Sequence, residues 1–400
     1  MKEYFTFFKK NFKEVRFGWT LTLLSGFGQT YFISLYVPEI IKVFGISNGL
    51  FGGIYAAATV ITSFLLITLG HFVDHKPIKT VTFYTILGLA LSSILLGFSE
   101  IHMIVLFLAL LGLRLTGQGL LSHISQTVLS RRFDLDRGKA LSIASSGYSV
   151  GEAIFPIIVT SLLLWSNLKT TSLLCAAFLV FYLIRMRFLD LKKFDKDLDL
   201  ESKISGKILL TDFKDIISER KFFIIMPSSF VMSFVSTAFF FYQYIFVKDL
   251  KWSVTLYASF FIVYAITRFI MSLIGGLLVD RFSAKKLFRF YLIPLGIGLF
   301  PMVVSNHILA ALFFLVMIGI TTGLAGTVKT ALLAEVYGTG KLGTVRSFFN
   351  MFMVLSTAAG PLVVGIMMDN GINFNMIILL LILLTFAVIL NNQRSLFRKS

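Results

Sequence analysis

Very little in this sequence suits an enzyme or a disulfide-stapled scaffold. Of 400 residues only one is cysteine, Cys175, so no intramolecular disulfide can form and no cysteine metal site exists. Charged residues make up only 14% of the chain. No Gly-x-x-x-x-Gly-Lys-Ser/Thr loop is present to drive a pump with nucleotide, and no HExxH, paired-carboxylate or Ser/His arrangement supports catalysis. No enzymatic activity, cofactor or metal is therefore expected. No cleavable signal peptide is apparent, and the connections between apolar stretches are too short for a separate soluble module. Nothing resembles the selectivity filter of a channel.

Apolar residues are abundant instead. They make up 56% of the chain, with 44 phenylalanines, more than a soluble domain could hide. Stretches of about 20 apolar residues, long enough to cross a hydrocarbon core of about 30 Å, recur throughout. Twelve spans are expected, near 18–38, 50–70, 80–98, 102–129, 139–163, 171–189, 222–246, 254–279, 287–305, 307–334, 345–368 and 374–391. The fold class is thus an all-α membrane protein with the lipid bilayer as its surroundings.

The net charge of +17 is a topology signal rather than a nucleic-acid footprint. With the N-terminus inside, 30 of the 37 lysines and arginines fall on one side, and only Lys42, Lys169, Lys248 and Lys251 on the other. Such a bias places both termini in the cytoplasm, with a bacterial cytoplasmic (inner) membrane as the expected location. The arm before span 1 interleaves Phe5, Phe8 and Phe12 with Lys9, Lys10 and Lys13, an amphipathic pattern able to lie on a membrane surface.

The chain also matches itself. A shift of 206 residues lays Asp74 on Asp280, Gly70 on Gly276, Gly117 on Gly323 and His123 on Lys329, and a shift of 205 lays Pro156 on Pro361. Two parallel halves of six spans are one known transporter symmetry. The division reads as an N-terminal bundle over 1–189, a connecting segment over 190–221 and a C-terminal bundle over 222–400. The connection turns to mixed charge but keeps Leu209, Phe213, Ile216 and Ile217 at helical spacing, which predicts a surface helix.

Two loops carry a family resemblance. Gly70-His-Phe-Val-Asp74-His-Lys-Pro-Ile-Lys79 follows span 2, and Gly276-Leu-Leu-Val-Asp280-Arg281-Phe-Ser-Ala-Lys285-Lys286 follows span 8. Both resemble the Gly-x-x-x-Asp-Arg-x-Gly-Arg-Lys loop of the major facilitator superfamily, the first with His75 in place of the usual Arg. The resemblance implies two pseudo-symmetric six-helix bundles (the major facilitator fold). It also implies gating roles for Asp74, Asp280 and Arg281, each aspartate accepting hydrogen bonds from a helix N-terminus, near Gly343 for Asp74 and near Gly138 for Asp280. Leu113-Arg114-Leu-Thr-Gly117-Gln118-Gly119 resembles that superfamily's Arg-x-x-x-Gly motif on its fourth helix. In span 5, Glu152 stands where drug–proton antiporters have Pro after Gly-x-x-x-Gly. The run from Arg137 to Gly151 is instead similar to the fifth-helix signature of monocarboxylate porters.

Ionisable residues at membrane depth cost about 2.5–3.5 kcal/mol each on translocon scales and persist with a partner, a wet cavity or a function. Arg114, Arg268 and Glu152 fall near mid-depth, while Lys329 and Glu335 lie nearer the end of span 10. Three cations against one clearly buried carboxylate favour an anionic substrate, which an Arg can grip bidentately. The bland alternative is that Arg114 pairs with Glu152 and that Arg268 donates to helix carbonyls. Candidate substrate contacts are Arg114, Arg268, Gln29, Gln118, Tyr242, Tyr264 and Lys329, with Tyr31 and Tyr36 as further aromatic walls. Gln29 and Tyr242 enter because the first and seventh helices line the cavity in the superfamily it resembles.

Glu152 is the candidate proton carrier, since burial favours its protonated form and a nearby Arg its ionised form. His123 is the second, being able to titrate near neutrality, although it falls half a turn from Arg114, so both line one cavity wall only if Gly117 or Gly119 bends the helix. The expected function is a proton-coupled secondary transporter working by alternating access, moving a small organic anion such as a monocarboxylate, as a monomer. The alternative is a drug or metabolite efflux antiporter of the same superfamily.

Overall fold

A computed structural model describes residues 2–70, 72–133, 136–195, 214, 216–338 and 342–394. Among these residues it is helical, without a strand. Eleven helices are long and apolar enough to cross a membrane, and they coincide with spans 2 to 12 to within a few residues. They are α5 (Asn48–Gly70), α7 (Ile78–Gly97), the run Met103–Arg132, α10 (Arg137–Trp165), α11 (Leu168–Met186), α12 (Arg220–Asp249), α13 (Val254–Phe282), the stretch Ala284–Val304, α16 (Ile308–Tyr337), α17 (Leu342–Asp369) and α18 (Phe374–Asn392). The run Met103–Arg132 comprises α8 (Met103–Gly112), a π-helical segment (Leu113–Leu121) and α9 (Ser122–Arg132). The stretch Ala284–Val304 holds α14 (Ala284–Phe288) and α15 (Ile293–Val304), and a short α6 (Phe72–His75) follows α5.

Span 1 departs from the expected continuous helix. After a surface helix α1 (Lys2–Lys10), α2 (Phe12–Leu24) gives way to a 3-10 turn over Ser25–Gly28, then Gln29 is extended at φ −78°, ψ 153°. The chain resumes as α3 (Thr30–Ile33) and α4 (Val37–Phe44), with Pro38 in the first turn of α4. The sequence Ser25-Gly-Phe-Gly28 is a poor helix former, and both glycines sit where no side chain fits. A Cβ on Gly28 would fall on the Leu113 carbonyl and the Gln118 amide nitrogen, and one on Gly26 would meet the Tyr31 hydroxyl.

The chain divides into two compact units. Unit 1 comprises Met1–Ile46 and Ala57–Ser202. Its α10 lies against α2, where Gly147 leaves room for the Trp19 carbonyl and the Thr22 hydroxyl. Trp19 Nε1 donates to Ser146 Oγ at 3.0 Å, and Ser125 Oγ donates to the Gly18 carbonyl at 2.9 Å. The surface helix α1 is pinned by Phe7, which is buried and packs edge-on to Phe133 at 5.1 Å, while Lys9 and Lys10 are exposed. Of the aromatic residues expected to form the apolar face of the arm, Phe8 is half-buried, Phe12 is exposed, and the Phe5 side chain lies outside the described residues.

Unit 2 comprises Ser47–Ala56 and Lys203–Ser400. Its α13 and α16 lie along each other through Gly319 and Gly323, and α12 meets α17 where Gly360 faces the Phe234 carbonyl. Ser228 ties α12 to α18 and to the turn between α14 and α15, sharing a hydrogen bond of 2.8 Å with the Tyr291 hydroxyl and accepting one of 3.0 Å from Asn392. Residues 47–56, which the sequence division assigns to the N-terminal bundle, group with unit 2, while the remainder of α5 groups with unit 1. In the connecting segment, Leu209 and Phe213 lie outside the described residues. Ile216 is buried and Ile217 exposed.

Three helix N-termini are closed by carboxylates from elsewhere in the same unit. Asp195 accepts from the Ile78 N–H at 2.8 Å at the start of α7. Glu335 accepts from the Ala284 N–H at 2.8 Å and the Lys285 N–H at 3.4 Å at the start of α14. Asp369 accepts from the Asn48 N–H at 2.9 Å and the Gly49 N–H at 2.8 Å at the start of α5. A carboxylate at the C-terminal end of its own helix opposes that helix's dipole. Asp369 and Glu335 both sit so, and each is compensated by the positive end of another helix. Replacing Asp369 by Ala should cost about 0.5–2 kcal/mol, the worth of a helix cap. Thermal unfolding of the purified protein in detergent reads this as a lower melting temperature, with Asp369→Glu recovering part of the loss; an unaltered melting temperature for Asp369→Ala would contradict the capping role.

Candidate functional site

The break in span 1 faces the π-helical segment of span 4, and this pairing builds the candidate site of unit 1. In an unbroken helix the Phe32 N–H would donate to the Gly28 carbonyl. Here it donates to the Gln29 carbonyl at 3.1 Å. The Gly28 carbonyl is thereby released from the backbone ladder, and Arg114 Nη1 donates to it at 3.4 Å. Arg114 is only 3% exposed. A freed carbonyl away from water needs a donor and a buried guanidinium needs an acceptor, so each helps to stabilise the other.

The π segment is the second half of this arrangement. Such segments are rare and recur at functional sites. Gly117 within it abuts the Gly28 backbone, since a Cβ there would meet the Gly28 nitrogen and Cα. Gln118 follows it and is half-buried, as is Gln29. The π segment winds less per residue than an α-helix, so α-helical spacing does not set the phase of His123 relative to Arg114. His123 is half-buried, and its Nε2 lies 3.4 Å from where a Cβ on Gly70 would stand.

Glu152 is 7% exposed on α10. The adjacent Gly151 faces the Tyr31 hydroxyl and the Phe155 ring, so Glu152 belongs to the part of α10 that packs on the span 1 break. On the same helix Tyr148 and Ser149 are half-buried and Ser145 is exposed. Gln29, Arg114, Gln118 and Glu152 are thus drawn from three elements that meet in unit 1.

Unit 2 holds the remaining candidates. Tyr264 is buried among the rings of Phe240 and Phe261, at 5.5 and 5.8 Å, and Arg268, one turn further along α13, is half-buried. The Arg268 carbonyl faces Gly323 of α16. Lys329 on α16 is half-buried, and its ammonium approaches the Met353 sulfur at 3.8 Å. Among the described residues Lys329 has no ion-pair partner. Tyr242 is fully buried, and its hydroxyl is directed at the carbonyls of Asn48 and Pro361, 2.8 Å from each. Beside it Gln243 accepts from the Tyr257 hydroxyl at 2.8 Å. These polar tips of α12 are engaged in holding helices together.

Of the gating candidates, Asp280 and Arg281 are exposed, and the Arg281 guanidinium lies 5.2 Å from the Phe282 ring. The Asp74 side chain lies outside the described residues, and the backbone beside it is held by Arg131 Nη2, which donates to the Val73 carbonyl at 3.0 Å. Reading the sequence for acids at loop motifs missed Glu335 and Asp369 as capping groups. Their unfavourable place at the ends of their own helices was the available signal.

Comparison with known proteins agrees with this architecture. A family model described as Major Facilitator Superfamily matches residues 18–263 and again 226–398. No curated protein matches the sequence. Among solved structures the chain is similar to a mutant form of the nucleoside transporter NupG, with 13% identity, a TM-score of 0.77, and 97% of this chain and 100% of that one covered. It is similar to a D-xylose-proton symporter with 14% identity, a TM-score of 0.72 and coverage of 96% and 97%. It is also similar to a bacterial homolog of the human lysosomal transporter Spinster, in an inward-facing and unoccupied conformation, with 13% identity, a TM-score of 0.69 and coverage of 94% of each chain.

The contact of Gly28 with the π segment has a direct test. Gly28→Ala should cost about 1–3 kcal/mol through overpacking, whereas Gly138→Ala, where a Cβ meets open space, should not destabilise. Melting temperatures of the two purified variants compare these; equal values would rule out the close approach.

Proposed function

The chain belongs to the major facilitator superfamily, and from that premise we propose that it is a secondary active transporter that moves a small organic anion, such as a monocarboxylate, together with protons. Transport proceeds by alternating access, with both termini in the cytoplasm and the chain acting as a monomer in a bacterial inner membrane. Asp74, Asp280 and Arg281 are assigned to gating, by their place in the two matching loops. Lys329 carries the anion reading. It is a cation on a membrane helix whose hydrogen-bond acceptor is a thioether, a weak acceptor that leaves its charge to an anion. The nearest acid along the same helix, Glu335, is engaged by the Ala284 and Lys285 N–H groups and does not neutralise it. Arg114 and Arg268 are the other two cations assigned to the substrate carboxylate, with Gln29, Gln118 and Tyr264 completing the contacts.

Glu152 is assigned to the proton, with His123 as the second titrating group. Anion binding that draws Arg114 away from Glu152 favours protonation of Glu152, so anion and proton move together.

Uptake of labelled lactate, pyruvate and larger anions into proteoliposomes, with and without a pH gradient, tests the reading. A gradient acidic on the substrate side should drive accumulation, and Lys329→Gln should lower uptake at least tenfold. Movement of cationic drugs with no movement of these acids would instead support the efflux antiporter. Glu152→Gln should abolish uphill accumulation yet keep anion exchange; accumulation that survives in this variant would remove Glu152 as the carrier.

A further inference from the structure

We propose that the cavity between α2 and α11 in unit 1 binds the headgroup of an anionic glycerophospholipid. The cavity has a volume of about 580 Å³ and is separate from the candidate transport residues. Its walls are the first turns of α2 and the last turns of α11, and the chain after α11 closes it, with Phe194 stacked on Phe17 at 5.3 Å. Charge and depth identify the occupant.

The lining carries four cations, Lys13, Arg16, Arg185 and Lys193, and two carboxylates, Glu14 and Asp190. Both carboxylates are engaged. Glu14 pairs with Lys193 at 3.4 Å, and Asp190 accepts from the Lys192 N–H at 3.1 Å. Lys13, Arg16 and Arg185 are exposed, and among the described residues none has a carboxylate partner. The Arg16 guanidinium rests 5.1 Å from the Phe12 ring, which holds it without consuming its hydrogen-bond donors. Three open cations in one concavity suit a phosphodiester.

The depth favours a lipid over a soluble anion. Helix α11 has 19 residues, about 28 Å at 1.5 Å per residue, close to the thickness of a hydrocarbon core. Arg185 near its end therefore stands at headgroup level. One and two turns back towards the bilayer, Phe181 and Phe178 line the same cavity at 64% and 48% exposure. They present an apolar surface for acyl chains directly beside the cations. A dissolved phosphate would use the cations and leave that surface bare. Basic pockets of this kind at membrane boundaries suit acidic headgroups.

The test is a titration of the purified full chain, in zwitterionic detergent, with phosphatidylglycerol, phosphatidylcholine or inorganic phosphate, reading the melting temperature. Phosphatidylglycerol should raise it saturably, and the other two should not. Each cation near a charged headgroup is worth about a fivefold change in affinity, so Lys13→Gln/Arg16→Gln/Arg185→Gln should weaken the response about a hundredfold. Lys248→Gln/Lys251→Gln, far from this cavity in the sequence, should leave it unaltered. A triple variant that responds like the parent would overturn the proposal, and so would inorganic phosphate reproducing the shift. If the triple variant does not fold, Arg16→Gln and Arg185→Gln singly carry the test: about fivefold weakening in each supports the site, and parental affinity in both overturns it.

Discussion

Inside a bilayer a peptide group that leaves the helical ladder has no water to turn to, and this requirement governs the break in span 1. Each unsatisfied group costs several kcal/mol. The break at Gln29 frees the Gly28 carbonyl, and Arg114 meets it. The starts of α5, α7 and α14 expose N–H groups, and Asp369, Asp195 and Glu335 meet those. Four charged side chains, Arg114, Asp195, Glu335 and Asp369, thus meet backbone groups that the helical ladder leaves open. The same irregularity positions candidate chemistry, since the broken span 1 and the π turn of span 4 bring Gln29, Gln118 and Arg114 to one place.

The repeat within the chain separates packing from chemistry. Gly117 and Gly323 are equivalent, and each admits the backbone of a neighbouring helix, Gly28 in one unit and Arg268 in the other. Pro156 and Pro361 likewise lie inside equivalent helices. The mid-depth ionisable residues Arg114 and Glu152 do not follow the repeat, unlike Asp74 and Asp280. The position equivalent to Arg114 is Ile320, and that equivalent to Glu152 is Thr357. Two halves with the same frame and different polar groups suit a carrier in which the halves have different tasks in holding substrate and proton.

Spans 2 to 12 were legible because each is a sustained apolar run with short polar interruptions, and no competing tertiary effect opposes such a run in lipid. The family was legible because Gly70–Asp74 and Gly276–Asp280 recur at one spacing. The break in span 1 was not, because glycine is frequent in membrane helices and Gly26 and Gly28 alone do not mark a break in an apolar run. The π winding over Leu113–Leu121 was hidden as well, because its sequence reads as an ordinary apolar helix with two glycines. Tyr242 illustrates a further limit. A polar ring on a helix that lines a cavity by resemblance is directed at two backbone carbonyls, which side-chain type alone does not reveal.

The cations on membrane helices are the centre of the functional reading, Lys329 above all, and their purpose can be separated from mere tolerance by comparing charge at constant shape. The direct measurement is the affinity of the purified protein for lactate against its neutral isostere lactamide, in the parent chain and in Lys329→Gln. A preference for lactate of tenfold or more in the parent, lost in Lys329→Gln, is the predicted result. Equal affinity of the parent for the two ligands, or an unchanged preference in the variant, would contradict a site built for an anion.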